Sequence, residues 1–285
     1  MKIRELLNET TNNLINQNKE ERAAYDLLMD YLNLESYELY SKLDEEVSDE
    51  IINKFNLAIN RYLNNEPLQH ILGYETFFGR NLIVSKDVLI PRYETEELVE
   101  NILYHIDDYF EDYEEIKLVD VGTGSGAIAL SLDLEEAKTK VWATDISQDA
   151  LNVAKRNCEK FKSEITFLQG SWLEPLIEND LKFDILVSNP PYIPNEEFVE
   201  ASVKDFEPNL ALFGGNEGIE FYLEIFKEAN KVLNDRALLA FEFGHSQKEV
   251  ISKAVKEYFG DCEFEILKDI NGKDRMLFIY KNIKR

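Results

Sequence analysis

From Ile116 onward the chain alternates short apolar runs with amphipathic stretches, and this alternation constrains the fold more than any other feature. The runs IKLVDVG, KVWATDI, EITFLQG, FDILVSN and ALLAFEFG read as strands. Helices are expected from about Ser125, from Gln148 to Phe161, near 217–233 and from Ser246 to Phe259. Only the connection between EITFLQG and FDILVSN reads as a loop. Such an order predicts a mostly parallel sheet with helices on both faces. The last two runs, CEFEILKDI and RMLFIYK, flank Asn271-Gly272, a dipeptide suited to a tight hairpin. An antiparallel strand is therefore expected at the end of the sheet.

The first part of the chain has a different period. Leu6, Leu7, Leu14 and Ile15 recur at helical spacing, as do Tyr25, Leu28, Met29 and Leu32. Ile51, Ile52, Phe55, Leu57, Ile59 and Tyr62 mark a further helix. Residues 1–72 are read as a small domain of four or five helices. Residues 73–92 are read as a β-hairpin linker, with Gly73 and Gly79 bracketing Tyr74, Phe77 and Phe78. The α/β domain is then 93–285. Its first helix is expected to start near Thr95, a plausible N-cap, and to carry Leu98, Val99, Ile102 and Leu103 on one face.

Composition narrows the partners. A formal net charge of −25 argues against broad nucleic-acid binding, which draws its affinity from Lys and Arg on phosphates. It suits a basic protein partner, or serves only solubility. No apolar run reaches the length of a membrane span, and the start MKIRELLNETTNNLINQNKEER lacks the apolar core of a secretion signal. Cys158 and Cys262 show no metal-type spacing, so no metal is expected and a reducing cytoplasm is the expected compartment. His70, His105 and His245 are scattered and read as core or surface residues.

Two strand ends carry the chemistry. The strand IKLVDVG runs into Gly122-Thr123-Gly124-Ser125-Gly126 and then a helix. Glycines there permit a tight turn and close approach of backbone to a ligand. The spacing is not that of a dinucleotide fingerprint, and no Gly-Lys-Ser/Thr follows as in a phosphate-binding loop. The next strand ends at Asp145, 145 − 122 = 23 residues from the first glycine, where an acid that accepts from ribose hydroxyls belongs. The competing reading is an N-cap, a role open to Ser147 or Asp149. Trp172, after the third strand, offers either an adenine face or a core side chain.

The fourth strand ends in Ser188-Asn189-Pro190-Pro191-Tyr192. Prolines cannot donate to the ladder, so the strand must stop there, beside the cofactor end of the sheet. Following a Gly-x-Gly-x-Gly strand, Asn-Pro-Pro-Tyr resembles the methyltransferases that modify planar, weakly basic nitrogens. An amide nitrogen is a poor nucleophile because its lone pair is delocalised. The Asn189 side-chain carbonyl and the Pro190 backbone carbonyl can accept its two N–H groups and hold it for in-line transfer. Tyr192 can pack on the planar amide.

Nitrogen type does not separate glutamine from a nucleobase, but the upstream segments do. Pro67-Leu68-Gln69-His70-Ile71-Leu72-Gly73, Phe77-Phe78-Gly79 and Val88-Leu89-Ile90-Pro91-Arg92-Tyr93-Glu94-Thr95-Glu96 closely resemble the bacterial HemK/PrmC family. The resemblance covers nearly the whole chain. It implies a seven-stranded class I S-adenosylmethionine-dependent methyltransferase fold, Rossmann-like with its last strand antiparallel, behind a helical N-terminal domain that binds the protein substrate. It implies methyl transfer from S-adenosyl-L-methionine to the side-chain nitrogen (N5) of the glutamine in the Gly-Gly-Gln motif of peptide chain release factors, leaving S-adenosyl-L-homocysteine. Gly122, Thr123, Gly124, Ser125, Gly126, Asp145, Trp172 and Asn189 are then expected at the cofactor, and Asp120 is expected to orient the glycine loop or meet the methionine amine. Asn189, Pro190, Pro191 and Tyr192 are expected at the substrate glutamine, with Asn189, Pro190 and Tyr192 catalytic. Arg92 and Glu94 to Glu96 would shape the near wall of the pocket. A monomer with no membrane or direct nucleic-acid contact is expected. The chain departs from the family at Tyr93, where a second proline is usual. A glutamine methyltransferase acting on a ribosomal large-subunit protein shares the same signature, and a DNA adenine-N6 methyltransferase is the more distant alternative.

Overall fold

The structure is a computed structural model that describes residues 1–284. It contains two compact units: Met1–Tyr74 with Glu200–Phe206, and Glu75–Val199 with Glu207–Arg285.

The first unit is helical. It holds α1 (Ile3–Asn16), α2 (Arg22–Leu32), α3 (Ser36–Ser41), α4 (Asp49–Leu63) and α5 (Leu68–Leu72). Leu14, Ala24, Leu27, Leu28 and Phe55 lie at its centre with no exposed surface. Helical spacing explains who faces inward. In α4, Phe55, Ala58 and Ile59 share the buried face, while Leu57 falls between them in the sequence and on the opposite side, 66% exposed. Ile15, one residue past buried Leu14, is likewise turned to solvent. The apolar periodicity therefore located these helices but overcounted their inner faces. Ser48 caps α4 by accepting the Ile51 N–H at 3.4 Å.

In the second unit, β1 (Tyr74–Phe77, whose first residue groups with the helical unit) and β2 (Arg80–Ile83) make a separate two-stranded sheet. α6 (Tyr93–Tyr109) follows, then β3 (Ile116–Val121), α7 (Ala127–Glu135), β4 (Thr139–Asp145), α8 (Gln148–Phe161), β5 (Thr166–Gln169), α9 (Glu174–Glu178) and β6 (Phe183–Ser188). The short helix α10 (Ala201–Lys204) groups with the helical unit; α11 (Glu220–Glu228), β7 (Leu233–Glu242), α12 (Lys248–Phe259), β8 (Glu263–Lys268) and β9 (Asp274–Lys281) complete the chain. The stretch between β5 and β6 thus contains α9, which Pro175 starts from within its first turn.

The main sheet has seven strands in the order β5-β4-β3-β6-β7-β9-β8. The pairs among β5, β4, β3, β6 and β7 are parallel, and β9 pairs antiparallel with both β7 and β8. The reversed strand is therefore last in the chain but not outermost: β9 inserts between β7 and β8, and β8 takes the edge. The central strand β6 is buried at all six residues, Asp184 and Ser188 included, which is why its middle, Ile185-Leu186-Val187, reads as an apolar run and not as an alternation. One face of the sheet packs with Leu98, Ile102 and Leu130 from α6 and α7; the other packs with Tyr222, Phe226, Ile251 and Val255 from α11 and α12. Each such side chain contributes about 1.5–3 kcal/mol of transfer free energy.

Strand order reverses between β3 and β6, which places two carboxyl ends side by side at the centre of the sheet. Open α/β sheets bind ligands at such a point.

Candidate functional site

A cavity of about 370 Å³ opens at this switch point, lined within the second unit by the loop after β3, the end of β4, the segment after β5 and the end of β6. Its volume is that of a small-molecule site. Gly122, Thr123, Gly124, Ser125, Asp145, Trp172, Asn189 and Pro191 all line it. Gly126, Pro190 and Tyr192 do not appear in its wall.

The glycine loop is held from below. The Gly122 and Thr123 N–H groups both donate to the Thr144 carbonyl at 2.9 Å. Gly122 and Gly124 have φ of +77° and +54°, and a Cβ built on either would meet no atom within 4 Å, so their missing side chains leave open space. Gly126 works differently. Its φ is +82°, and a Cβ there would come within 3.1 Å of Ala154 Cβ, so it lets the start of α7 approach α8.

Asp120, at the end of β3, is almost wholly buried, and its Oδ2 accepts from Thr123 Oγ1 at 2.7 Å. Oδ1 has no partner at full hydrogen-bond geometry, and the nearby Ala129 N–H favours the charged form of the carboxyl. Burial pushes this carboxyl up to about 7, opposed by Thr123 and Ala129, with nearby Asp145 adding to the rise. Of the two roles expected for Asp120, the visible one is to brace the glycine loop through Thr123.

Asp145 is half-buried at the cavity wall. Its Oδ2 accepts the Gly124 N–H and its Oδ1 the Ser147 N–H, each at 2.9 Å. Burial raises its carboxyl, and the N–H groups of Ser147, Gly124 and Ile146 oppose the rise. The cap of α8 is Ser147, whose Oγ accepts from Ala150 N at 3.2 Å. Asp145 therefore retains lone pairs for a ligand. Trp172 lies against Phe221, ring centroids 4.4 Å apart, and both rings line the cavity.

At the end of β6, the Asn189 amide is half-buried and its Nδ2 donates to Thr95 Oγ1 at 3.2 Å. Thr95 Oγ1 in turn donates to Glu242 Oε2 at 2.6 Å, and the Tyr192 hydroxyl donates to Glu242 Oε1 at 3.3 Å. Burial pushes Glu242 up, against the pull of Thr95, Arg275 and Tyr192. The Tyr192 phenol is pushed well up by burial and then by Glu242. The backbone after Asn189 is tightly covered. A Cβ on Gly214 would sit 2.4 Å from the Pro191 carbonyl, and Gln247 Nε2 donates to the Tyr192 carbonyl at 2.9 Å.

The likenesses to known proteins follow the same division of the chain. The PrmC N-terminal domain matches residues 5–73 and the Methyltransferase small domain matches residues 100–207. The release factor glutamine methyltransferase of Bacillus subtilis is 40% identical over 284 residues, spanning 98% of this chain and 99% of its own. That of Bacillus cereus is 38% identical over 280 residues with the same coverage. That of Staphylococcus aureus is 38% identical over 260 residues, 90% of this chain and 91% of its own. The chain belongs to the release factor glutamine methyltransferase family. Among solved structures, the hMettl16 catalytic domain in complex with an RNA hairpin superposes with TM-score 0.53 at 15% identity, covering 83% of this chain and 84% of that one. At that identity the likeness speaks for the seven-stranded methyltransferase fold alone.

Several readings of the family motifs change in detail. The helix after Pro91 starts at Tyr93, with Arg92 in the cap position, so Thr95 is inside its first turn and not the cap. Tyr93, standing where the family usually has proline, is the first helical residue and 64% exposed. Proline is favoured there because that N–H has no helical partner in any case, and an exposed Tyr fits the same backbone. Of the expected near wall, Arg92 and Thr95 line the cavity, whereas Glu94 and Glu96 do not; Pro91 lines it as well. Glu96 instead accepts the Phe78 N–H at 2.8 Å. Arg92 pairs at 2.6 Å with Glu207, which also accepts the Ile90 N–H.

Sequence reasoning missed Glu242, Glu207, Asn157 and Phe221. Asn157 is fully buried, donates to the Ser125 carbonyl at 2.9 Å and bonds both backbone groups of Ile83. Its signal in the sequence was a polar residue on the apolar face of α8, between Ala154 and Cys158. No helix among the described residues is long and apolar enough to cross a membrane, and both cysteines are free.

Proposed function

We propose that this protein transfers the methyl group of S-adenosyl-L-methionine to the side-chain nitrogen of the glutamine in the Gly-Gly-Gln motif of peptide chain release factors. The observation that carries the reading is the Asn189 amide at the wall of one cavity with the glycine loop and Asp145. The near full-length likeness to enzymes named for that reaction supplies the substrate class.

The residues present fit the donor. Asp145 offers carboxylate oxygens for ribose hydroxyls. Gly122 and Gly124 leave room for close backbone approach, and Trp172 and Phe221 offer flat apolar surface for a base. Bound there, S-adenosyl-L-methionine supplies a methyl on positively charged sulfur. The chain's own task is to present the nitrogen. The Asn189 side-chain carbonyl at the cavity wall accepts one glutamine N–H; the Pro190 carbonyl, which lies behind that wall, is the acceptor assigned to the other, and together they fix the nitrogen in line with the methyl and stabilise the positive charge that appears on it as the carbon–nitrogen bond forms. The N-methyl product then loses a proton readily, so no strong base is needed beforehand. Pro191 and Tyr192 stiffen this segment. Two free cysteines suit a reducing cytoplasm.

The test is tritiated S-adenosyl-L-methionine offered with a release factor, its Gly-Gly-Gln-to-Gly-Gly-Ala variant, ribosomal proteins and DNA. Label on the release factor that vanishes in the variant is expected. Label on a ribosomal protein or on DNA, and none on the release factor, refutes the substrate assigned here.

A further inference from the structure

Asn189 can serve as an acceptor for a substrate amide only if its carbonyl, and not its NH2, faces the cavity. An asparagine side chain is nearly symmetric in shape, so packing alone does not choose between the two orientations. The choice must come from its hydrogen-bond partners.

Thr95 Oγ1 is the partner of the Asn189 amide, at 3.2 Å from Nδ2, and it is also 2.6 Å from Glu242 Oε2. A hydroxyl has one proton to give. Glu242 is almost wholly buried; burial and the Glu94 charge raise its carboxyl, but the groups bonded to it favour the charged form, the Thr95 hydroxyl on one oxygen and the Tyr192 hydroxyl on the other, with the Arg275 charge nearby. A carboxylate only accepts, so the Thr95 proton is committed to Glu242. Thr95 must then accept from Asn189, and the only Asn189 atom that can donate is Nδ2.

We infer that Thr95 and Glu242 are positioning residues that set the orientation of the Asn189 amide, holding its NH2 inward and leaving its carbonyl to the substrate. The inference rests on the methyl-transfer reading above. It also assigns the Tyr192 hydroxyl: it donates to Glu242 and lies 3.5 Å from Arg275 Nη1, so one buried carboxylate holds both ends of the Asn-Pro-Pro-Tyr segment. Neither Thr95 nor Glu242 is required to touch the glutamine. Thr95 sits in the first turn of α6 and Glu242 at the end of β7, so the relay joins three elements far apart in sequence.

Thr95→Val keeps the branched shape and removes the hydroxyl, while Thr95→Ser keeps the hydroxyl. In single-turnover assays with a release factor, Thr95→Val should slow methyl transfer by about 10- to 100-fold, the scale of a misplaced reacting group. Donor affinity by calorimetry should stay within roughly twofold, and Thr95→Ser should recover most of the rate, as a positioning role requires. In an Asn189→Ala background, Thr95→Val should have almost no further effect, because the group it orients is gone. A rate loss of equal size in both backgrounds, or a Thr95→Ser enzyme as slow as Thr95→Val, overturns the relay. Neutron crystallography of the wild-type protein decides the matter without a variant or an assay. Two deuterons on the Asn189 atom facing Thr95 are expected, and a bare oxygen there overturns the inference even if Thr95→Val does not fold. A wild-type protein that leaves release factors unmethylated refutes the substrate reading instead, and the neutron map still judges the relay.

Discussion

The Ser188 hydroxyl donates to the Val121 carbonyl at 2.5 Å and so ties the end of β6 to the end of β3, directly beneath Asn189 and the glycine loop. Both residues have no exposed surface. Removing the donor leaves a buried carbonyl short of a partner, which costs about 1–3 kcal/mol. Ser188→Ala should therefore lower the urea midpoint with an unchanged slope. A stability equal to wild type would show that the two strand ends do not need this bond.

Asn189→Ala removes the proposed acceptor without disturbing the core. Methyl transfer should fall by about 100- to 1000-fold, the scale for a preorganised polar contact at a reacting centre. The thermal midpoint should stay near that of wild type. Single-turnover kinetics check the first statement and calorimetry the second.

Asp145→Ala should act on affinity. Loss of hydrogen bonds to a charged acceptor costs about 1.5–3 kcal/mol, or roughly 10- to 150-fold in the dissociation constant for S-adenosyl-L-methionine. Isothermal titration reads this directly. Unchanged affinity would remove Asp145 from the ribose position.

Asp120 predicts a pH dependence of stability. Its carboxyl is raised by burial to about 7, so the folded protein holds a proton there that the unfolded chain releases above its ordinary value of 3.8. Between those values the folded state binds more protons than the unfolded one. The contribution of this group is then fully present below about pH 4, declines by up to about 1.4 kcal/mol per pH unit, and is gone above about pH 7. Subtracting the stability of Asp120→Asn from that of wild type across pH 4–8 isolates the effect. A difference that does not change with pH would contradict it.

Much of this architecture was legible because its causes are local. The parallel strands announce themselves as apolar runs since both faces are covered, and the turn Gly122 to Gly126 and the stop at Pro190 follow from backbone chemistry. The internal placement of β9 was not legible, because hairpin signals say which strands pair and not which one takes the edge. The cavity lining was readable where a single segment brings a residue to a strand end, as at Asp145 and Asn189. It was not readable where partners are distant. Thr95 looks like a helix cap from its neighbours, and only the fold brings it to Glu242, 147 residues away, and Asn189, 94 residues away. Glu207 escaped for the same reason, since a polar loop residue gives no local sign that it will be buried against a distant backbone, and Asn157, though its place on the apolar face of α8 was a sign of burial, gave no sign of which backbone it would bond.

The most direct test of the central claim is mass spectrometry of the release-factor peptide that contains Gly-Gly-Gln, after incubation with this protein and S-adenosyl-L-methionine. A mass increase of one methyl, located by fragmentation on the glutamine side chain and absent with Asn189→Ala, is the predicted result. An unmodified glutamine under conditions where the protein demonstrably binds the donor would contradict the account.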